Sequence, residues 1–327
     1  MVVAQPIAPQ SLPVPPKRGV EVVSPQEIKA EVKRLMQDFS VEVTPGELVR
    51  LKALPAELPL GSRVYIPWVP GNRVEHTVQA AARLQALGMT PLPHIAARAV
   101  TDAASLDNLL TRLHKEAGVQ QVMLIAGSST APAGSFDSSL QVLSSGLLKR
   151  HKFTGLSLAA HPEGSPDISA KALEAALQVK NAFARTSSAQ VRLVTQFCFD
   201  GAPIVAWERA ARTSGNRLPV HVGLAGLASV PTLLKYAHSC GVGASMQLLT
   251  GQGLRQGLRL LRVAARLEPG NIVAAVARAR LQNPGSLFEG FHFFPFGALS
   301  QTVAWAAAVA RGQFTLEDNG DGLTLSV

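Results

Sequence analysis

The chain has 327 residues, of which 47% are hydrophobic and 16% are charged, a composition that supplies one large core and excludes a disordered protein. Its net charge is +9, but it has no zinc-finger, RNA-binding or helix-turn-helix pattern, so we expect no nucleic-acid partner. The absence of a long apolar run and of a signal-peptide pattern predicts a cytoplasmic protein without membrane contact.

The chain begins with a proline-rich segment, residues 1–24. Its five prolines and few large apolar residues favour extended chain. We expect this N-terminal arm either to lack fixed structure alone or to pack across a neighbouring subunit of a homo-oligomer. Ser24 and Pro25 then read as the N-cap and first residue of a helix that ends before Phe39.

From Phe39 onward, short β-prone runs alternate with amphipathic helical patterns. The helical patterns lie at residues 76–87, 105–116, 135–150, 168–184, 204–213 and 230–239. The eight β-prone runs lie at residues 39–43, 63–66, 91–95, 120–126, 156–160, 191–197, 218–223 and 291–294.

This alternation predicts a parallel sheet, and eight repeats permit closure into a single (β/α)8 TIM barrel over residues 25–327. The competing architecture is an open doubly wound sheet, but no GxGxxG follows the first strand and no P-loop occurs. Between the seventh and eighth strands we expect two or more helices, one of them carrying a basic stripe from Arg255 to Arg266. The residues Asp318 to Gly322 predict a hairpin turn.

The two cysteines, Cys198 and Cys240, have no metal-ligand spacing, so we interpret both as core residues and predict no metal site.

Polar residues at the ends of the predicted strands are the candidates for chemistry, because barrel active sites form at the carboxyl ends of strands. Taken singly, His221 and His292 are interpreted as hydrogen-bonded core histidines. Glu42 is less easily explained, because a carboxylate inside an apolar strand is costly unless it is paired or protonated. Burial predicts a raised pKa for Glu42 and hence a general acid.

Several segments then resemble the methylenetetrahydrofolate reductase family. The first strand, Phe39 to Pro45, is similar to the family's opening strand, and Val194 to Asp200 (VTQFCFD) is similar to its TQFxFD motif. Leu92 to His94, Ala159 to Gly164 and Gly290 to Phe294 fall in register with three more of its segments. The resemblance spans about residues 37 to 310.

The resemblance implies a flavin-binding barrel that passes a hydride from NADH or NADPH through FAD to the methylene carbon of a tetrahydrofolate derivative. Glu42 would be the acid that protonates a folate ring nitrogen, and Gln196 would hold the pterin. The resemblance also places Asp200 and His292 beside the substrate. The implied flavin residues are His94, Gly127, Ser128, Ala160, His161 and Lys180, the last toward a phosphate.

This chain departs from the family chiefly at the flavin. Ala126-Gly127-Ser128 stands where the family has arginine, glycine and aspartate, His161 replaces a tyrosine, and the family's nicotinamide-stacking aromatic falls near Val230. We therefore expect FAD to bind weakly or to be replaced by direct hydride transfer.

Three functions follow from these observations. The leading one is an oxidoreductase that interconverts 5,10-methylenetetrahydrofolate and 5-methyltetrahydrofolate, in a direction that the sequence leaves open. The alternatives are an enzyme acting on another tetrahydrofolate or pterin one-carbon adduct, and a non-catalytic folate-binding partner subunit.

Overall fold

A computed structural model describes residues 23–69, 71–239, 268–317 and 322–326. Most of the N-terminal arm, the arginine-rich segment and Cys240 therefore lie outside the described residues. In the part of the chain that is described, no helix is both long and apolar enough to cross a membrane.

The chain forms a closed barrel of eight parallel strands in sequential order, as the sequence predicted. A separate antiparallel hairpin near the C-terminus consists of β9 and β10. The turn predicted at Asp318 to Gly322 lies, except for Gly322, outside the described residues. The strands are β1 Ser40–Glu42, β2 Arg63–Ile66, β3 Thr90–Ala96, β4 Gln121–Ile125, β5 Gly155–Ala160, β6 Gln190–Thr195, β7 Val220–Ala225, β8 Phe288–Phe294, β9 Phe314–Leu316 and β10 Leu323–Leu325.

Helices surround the barrel, and a 3-10 turn, Ala97–Ala99, follows β3. The helices of the described residues are α1 Pro25–Met36, α2 Pro45–Arg50, α3 Val74–Ala86, α4 Ala103–Ala117, α5 Ser139–Ser144, α6 Leu147–Arg150, α7 Ala170–Thr186, α8 Gly201–Thr213, α9 Val230–Ser239, α10 Gly270–Leu281 and α11 Leu299–Arg311.

Capping explains where the first helices begin. The Ser24 hydroxyl accepts a hydrogen bond from the Glu27 amide, and the Glu27 carboxylate reaches back to the Ser24 backbone, which forms a capping box. Thr44 and Glu47 form the same box at the start of α2, directly after β1. With this second box, α2 begins three residues after Glu42, which is the last residue of its strand.

One helix prediction was wrong. The single helix expected over residues 135–150 is two short helices, α5 and α6, because Gly146 between them has a φ of +76° and ends the regular backbone. The sequence-based prediction also missed α2 and α11, whereas α10 falls between β7 and β8, where two or more helices were expected.

The hydrophobic core has two layers separated by the sheet. Outward-facing strand residues such as Val64, Val122 and Leu193 pack against the helices. Inside the barrel, a smaller cluster joins Tyr65, Leu92, Met123 and Val194. Because side chains alternate along each strand, residues two positions from members of this inner cluster also face the interior.

Candidate active site

The carboxyl ends of β1, β3 and β8 bring together a carboxylate and two histidines. The Oε1 atom of Glu42 lies 3.3 Å from Nε2 of His94 and 3.6 Å from Nε2 of His292. The Glu42 side chain is 14% exposed, whereas those of His94 and His292 are 9% and 1% exposed. The site therefore opens to solvent mainly at the carboxylate, which a ligand can reach.

The two histidines are held in different ways. His292 is fixed from β1, because its Nδ1 lies 2.9 Å from the hydroxyl of Ser40, and both residues are buried. By contrast, the His94 Nε2 atom is within ion-pair distance of Glu42 but makes no hydrogen bond with any described group. His94 Nε2 is buried, and the group that it faces is the Glu42 carboxylate.

Tyr65 of β2 forms the floor beneath this cluster. Its ring centroid lies 4.4 Å from that of His292 and 6.2 Å from that of His94. The Tyr65 hydroxyl lies 2.8 Å from the Ser157 hydroxyl on the opposite side of the barrel. This hydrogen bond fixes the ring against which both imidazoles pack.

The expected rise in the pKa of Glu42 is wrong. Burial alone would raise the pKa of this carboxyl, but the nearby imidazoles of His94 and His292 outweigh burial and lower it to about 2. Burial lowers the pKa of His292 more than contact with Glu42 raises it. At neutral pH Glu42 is therefore a carboxylate, and any acid function belongs to the cluster rather than to an isolated carboxyl group.

Gln196 and Asp200 follow β6 and are fixed by local hydrogen bonds. The Gln196 Oε1 atom accepts a hydrogen bond of 3.0 Å from the amide of Phe197, so the amide nitrogen of Gln196 is the part of the side chain left to bind a ligand. Asp200 caps α8 by accepting a hydrogen bond from the Ala202 amide. This capping bond gives Asp200 a structural role, in addition to the substrate contact that was predicted for it.

The loop after β4 carries Gly127 and Ser128. Gly127 has a φ of +99°, and a Cβ atom there would lie 3.3 Å from the Cβ of Ala96, so its backbone packs closely against the end of β3. Ser128 is exposed. Arg98 fastens this loop by donating a hydrogen bond to the Ser129 carbonyl, while it also pairs with Asp137.

The end of β5 brings His161 near Lys180. Ala160 is buried in the core, and the Lys180 ammonium donates a hydrogen bond of 2.6 Å to the Ala159 carbonyl. Burial lowers the pKa of Lys180 to about 8. Burial, together with the charge of Lys180, lowers the pKa of His161 to about 4.

An aromatic group beside His292 was missed by the sequence analysis. The ring of Phe294 lies 4.7 Å from His292 and stacks on Phe296, which in turn stacks on Tyr236 of α9. Phe296 has a φ of +50°, an unusual conformation for a residue with a side chain and one that often marks a functional loop. We call Phe294, Phe296 and Tyr236 the aromatic wall.

A cavity of about 350 Å³ lies elsewhere, between the end of β6, the start of α10 and the C-terminal hairpin. Cys198, Asn271 and Glu317 are among its lining residues, and none of them belongs to the Glu42 cluster.

Cys198 itself is a buried core residue, as predicted, and burial raises its pKa. Within the described ranges, no group of His, Cys, Asp or Glu has the arrangement of a metal site.

The structure thus groups some of the predicted residues and separates others. Glu42, His94 and His292 form one cluster. His94, which the resemblance assigned to the flavin, therefore lies next to the proposed acid. His161 and Lys180 form a second pair beside β5. The predicted core histidine His221 is buried but not hydrogen bonded through Nδ1 to any described group, which corrects the expectation of a satisfied core residue.

No protein family model matches the chain. Among solved structures it is similar to the deoxyribose phosphate aldolase from Aeropyrum pernix, whose tetrameric structure is described as unique. The sequence identity is 10% and the TM-score is 0.43, over 86% of this chain and 97% of the aldolase. A likeness at this level concerns the fold alone.

Proposed function

We propose that this protein is an enzyme of the methylenetetrahydrofolate reductase type, which interconverts 5,10-methylenetetrahydrofolate and 5-methyltetrahydrofolate. The observation that carries the proposal is the Glu42, His94 and His292 cluster at the carboxyl ends of three barrel strands. A buried carboxylate held between two imidazoles has the composition of an acid–base centre. The motif resemblance at Gln196 supplies the substrate class.

The proton donor in this proposal is the Glu42–His94 pair. Glu42 is ionised, with a pKa of about 2, so the imidazole carries the transferable proton of the pair. His94 Nε2 is buried and lies 3.3 Å from Oε1 of Glu42, so the proton passes to the substrate nitrogen through the more exposed Glu42 carboxylate. Glu42 therefore both stabilises the imidazolium and relays its proton.

In the reductive direction, protonation of a nitrogen in the five-membered folate ring breaks its bond to the methylene carbon. The other ring nitrogen then carries an iminium ion. A hydride from NADH or NADPH adds to this carbon and produces the N-methyl group, while the nicotinamide is oxidised. The cluster supplies the proton and the nicotinamide supplies the electron pair.

The described residues also offer contacts for the pterin ring and for the nicotinamide ring. The Gln196 amide nitrogen can donate to a pterin edge. The aromatic wall runs from His292 through Phe294 and Phe296 to Tyr236, which is 39% exposed. An exposed aromatic face there is suited to stacking on the nicotinamide, a role that the sequence analysis had found unfilled near Val230.

The residues assigned to FAD fit that cofactor poorly. Lys180 already donates to the Ala159 carbonyl, the Gly127 backbone is packed against Ala96, and no carboxylate stands at Ser128. We therefore assign the hydride transfer to a direct encounter between reduced nicotinamide and the folate, and no step to a flavin.

The test is an anaerobic assay of the purified chain with methylenetetrahydrofolate and either NADH or NADPH, with and without added FAD. We expect oxidation of one nicotinamide without added FAD, and formation of an equal amount of 5-methyltetrahydrofolate by mass spectrometry. The reverse reaction is assayed with 5-methyltetrahydrofolate and the oxidised nicotinamides.

Two results would contradict the proposal in different ways. Turnover that requires FAD would overturn direct transfer but leave the reaction intact. Folate binding by calorimetry without turnover in either direction would instead support the non-catalytic folate-binding subunit.

A further inference from the structure

The opposite end of the barrel contains a second cluster of polar residues, which the proposed reaction does not use. Arg63 opens β2, Arg192 lies in the first half of β6, and His221 is the second residue of β7. Arg192 pairs in register with Ser157, and His221 with Val194. Since Ser157 and Val194 face the interior, these side chains point into the barrel at its amino-terminal end.

The three side chains are buried or half-buried, and each has a nitrogen without a partner. Arg192 and His221 are only 8% and 5% exposed. Nε of Arg63, one terminal nitrogen of Arg192 and Nδ1 of His221 make no hydrogen bond with the described residues. Three unsatisfied buried nitrogens in one cluster are rare in proteins, where buried polar groups are nearly always paired.

The neighbouring acceptors do not neutralise the two guanidinium groups. Arg63 donates to the Asp38 carbonyl at 2.8 Å, and Arg192 reaches the Gln121 side chain only at 3.5 Å. The carboxylates of Asp38 and Glu289 attract Arg63 from a distance, but both residues are exposed. Within the described ranges neither forms an ion pair with Arg63 or Arg192, so the positive charge lacks a direct counter-charge.

The charges also repel one another. The proximity of Arg192, together with burial as the larger cause, lowers the pKa of Arg63. Burial and then the two arginines lower the pKa of His221 well below its usual range. His221 is therefore neutral, and a neutral imidazole can present Nδ1 as an N–H donor.

Gly290 of β8 packs directly beside this nitrogen. It pairs in register with His221, and a Cβ atom at Gly290 would lie only 3.2 Å from His221 Nδ1 and 3.5 Å from the Leu35 carbonyl. A side chain at this position would therefore crowd Nδ1, so the glycine keeps that nitrogen uncovered on the β8 side.

We propose that Arg63, Arg192 and His221 form a binding site for a small oxyanion, such as phosphate or a carboxylate, at the amino-terminal end of the barrel. An oxyanion supplies the negative charge and the several acceptor oxygens that this cluster lacks, and guanidinium groups bind such anions through paired hydrogen bonds. The site lies at the end of the barrel away from Glu42, so we assign it a role in stability or regulation and not in the proposed reaction.

The test is calorimetric titration and thermal melting of the purified chain with phosphate and with formate, using sodium chloride at equal ionic strength as the reference. We expect one or both oxyanions to bind and to raise the melting temperature by several degrees at saturation, because a ligand that binds only the folded state stabilises it. Comparing phosphate with formate shows whether the site prefers a tetrahedral or a planar anion.

Substitutions in the cluster test whether the anion binds there. Arg192→Gln should weaken oxyanion binding at least about 10-fold and should melt at or above the parent temperature without the anion, since it removes an uncompensated buried charge. Arg63→Gln serves as a second variant if Arg192→Gln fails to fold. Arg209→Gln, which removes an exposed arginine of α8, should respond to the anions as the parent does.

The proposal is overturned if neither oxyanion stabilises the parent more than chloride does. It is also overturned if Arg192→Gln and Arg63→Gln retain the parent affinity, because binding would then occur elsewhere.

Discussion

Glu42 shows how far the chemistry of one residue depends on its neighbours. Its position in an apolar strand identified it as a candidate from the sequence alone. The direction of its pKa shift could not be predicted, because His94 and His292 are 52 and 250 residues away along the chain and meet Glu42 only when the barrel closes. Burial and ion pairing oppose each other, and the short contact distances decide that pairing prevails.

Replacing Glu42 with Gln should reduce turnover by about 10²- to 10⁴-fold, the usual contribution of a proton-transfer group. Glutamine keeps the shape of the side chain but removes the charge that stabilises a protonated His94, so folate affinity should change little. Steady-state kinetics and calorimetric folate binding measure the two effects.

The control for this substitution is Glu57→Gln, which alters an exposed carboxylate outside the cluster. It should keep the parent turnover. If Glu42→Gln turned over within about threefold of the parent, Glu42 would be a structural carboxylate.

The pair formed by His161 and Lys180 predicts a pH dependence of stability. The folded-state pKa of His161 is about 4, below the value of about 6.5 expected in the unfolded chain. The unfolded state therefore binds more protons between these two values, and the free energy of unfolding falls as the pH drops from about 6.5 to 4. His161→Gln should remove this contribution.

Urea denaturation at a series of pH values in this window measures the effect. The decline in unfolding free energy should be shallower in His161→Gln than in the parent. His76→Gln, which replaces an exposed histidine, should retain the parent slope. Equal slopes in all three proteins would show that His161 is protonated as readily in the folded state as in the unfolded chain.

At the scale of elements, periodicity predicted the strands better than the helices. All eight barrel strands were identified within a few residues, since each is a β-prone apolar run between polar segments. Helix α2 was missed because it has only six residues and shows little periodicity. The aromatic wall was missed for another reason: Tyr236 and Phe296 are far apart in sequence, and neither lies in a strand.

Close contact between β6 and β7 predicts that Gly223 cannot be replaced. A Cβ atom there would lie 2.2 Å from the Thr195 carbonyl oxygen and 2.9 Å from the backbone of Gln196. Gly223→Ala should therefore lower the free energy of unfolding by about 2–4 kcal/mol. It should also weaken folate binding by displacing Gln196.

Gly46→Ala is the matched control for this substitution, because nothing lies within 4 Å of a Cβ at that helical position. Alanine there should be neutral or stabilising by up to about 1 kcal/mol. Urea denaturation of both variants compares them directly. If the two variants had similar free energies of unfolding, β6 and β7 would be able to move apart without loss of stability, and the prediction would be wrong.

For the whole molecule, closure of the barrel and assembly of the candidate site are the same event. The first and last barrel strands, β1 and β8, pair through only two residue pairs, Ser40 with His292 and Val41 with Phe293. Sequence periodicity predicted eight strands, but it could not give the register that places a serine of β1 beside a histidine of β8. Because of that register, Ser40 on the strand that carries Glu42 also holds His292, one of the two imidazoles beside Glu42.

This arrangement predicts a combined effect for Ser40→Ala. The substitution leaves the buried Nδ1 of His292 without its partner at 2.9 Å, which should lower the unfolding free energy by about 1–3 kcal/mol. It also frees the imidazole to rotate away from Glu42, so kcat should fall about 10-fold while the Michaelis constant for folate stays near the parent value.

Ser157→Ala is the matched comparison, since it removes another buried hydroxyl contact, to Tyr65 at 2.8 Å. It should cost similar stability but less activity, because the Ser157 hydroxyl bonds to Tyr65 and not to an imidazole. Urea denaturation and steady-state kinetics on both variants separate the two roles. Equal losses of kcat in the two variants would mean that Ser40 supports the barrel without positioning His292 for catalysis.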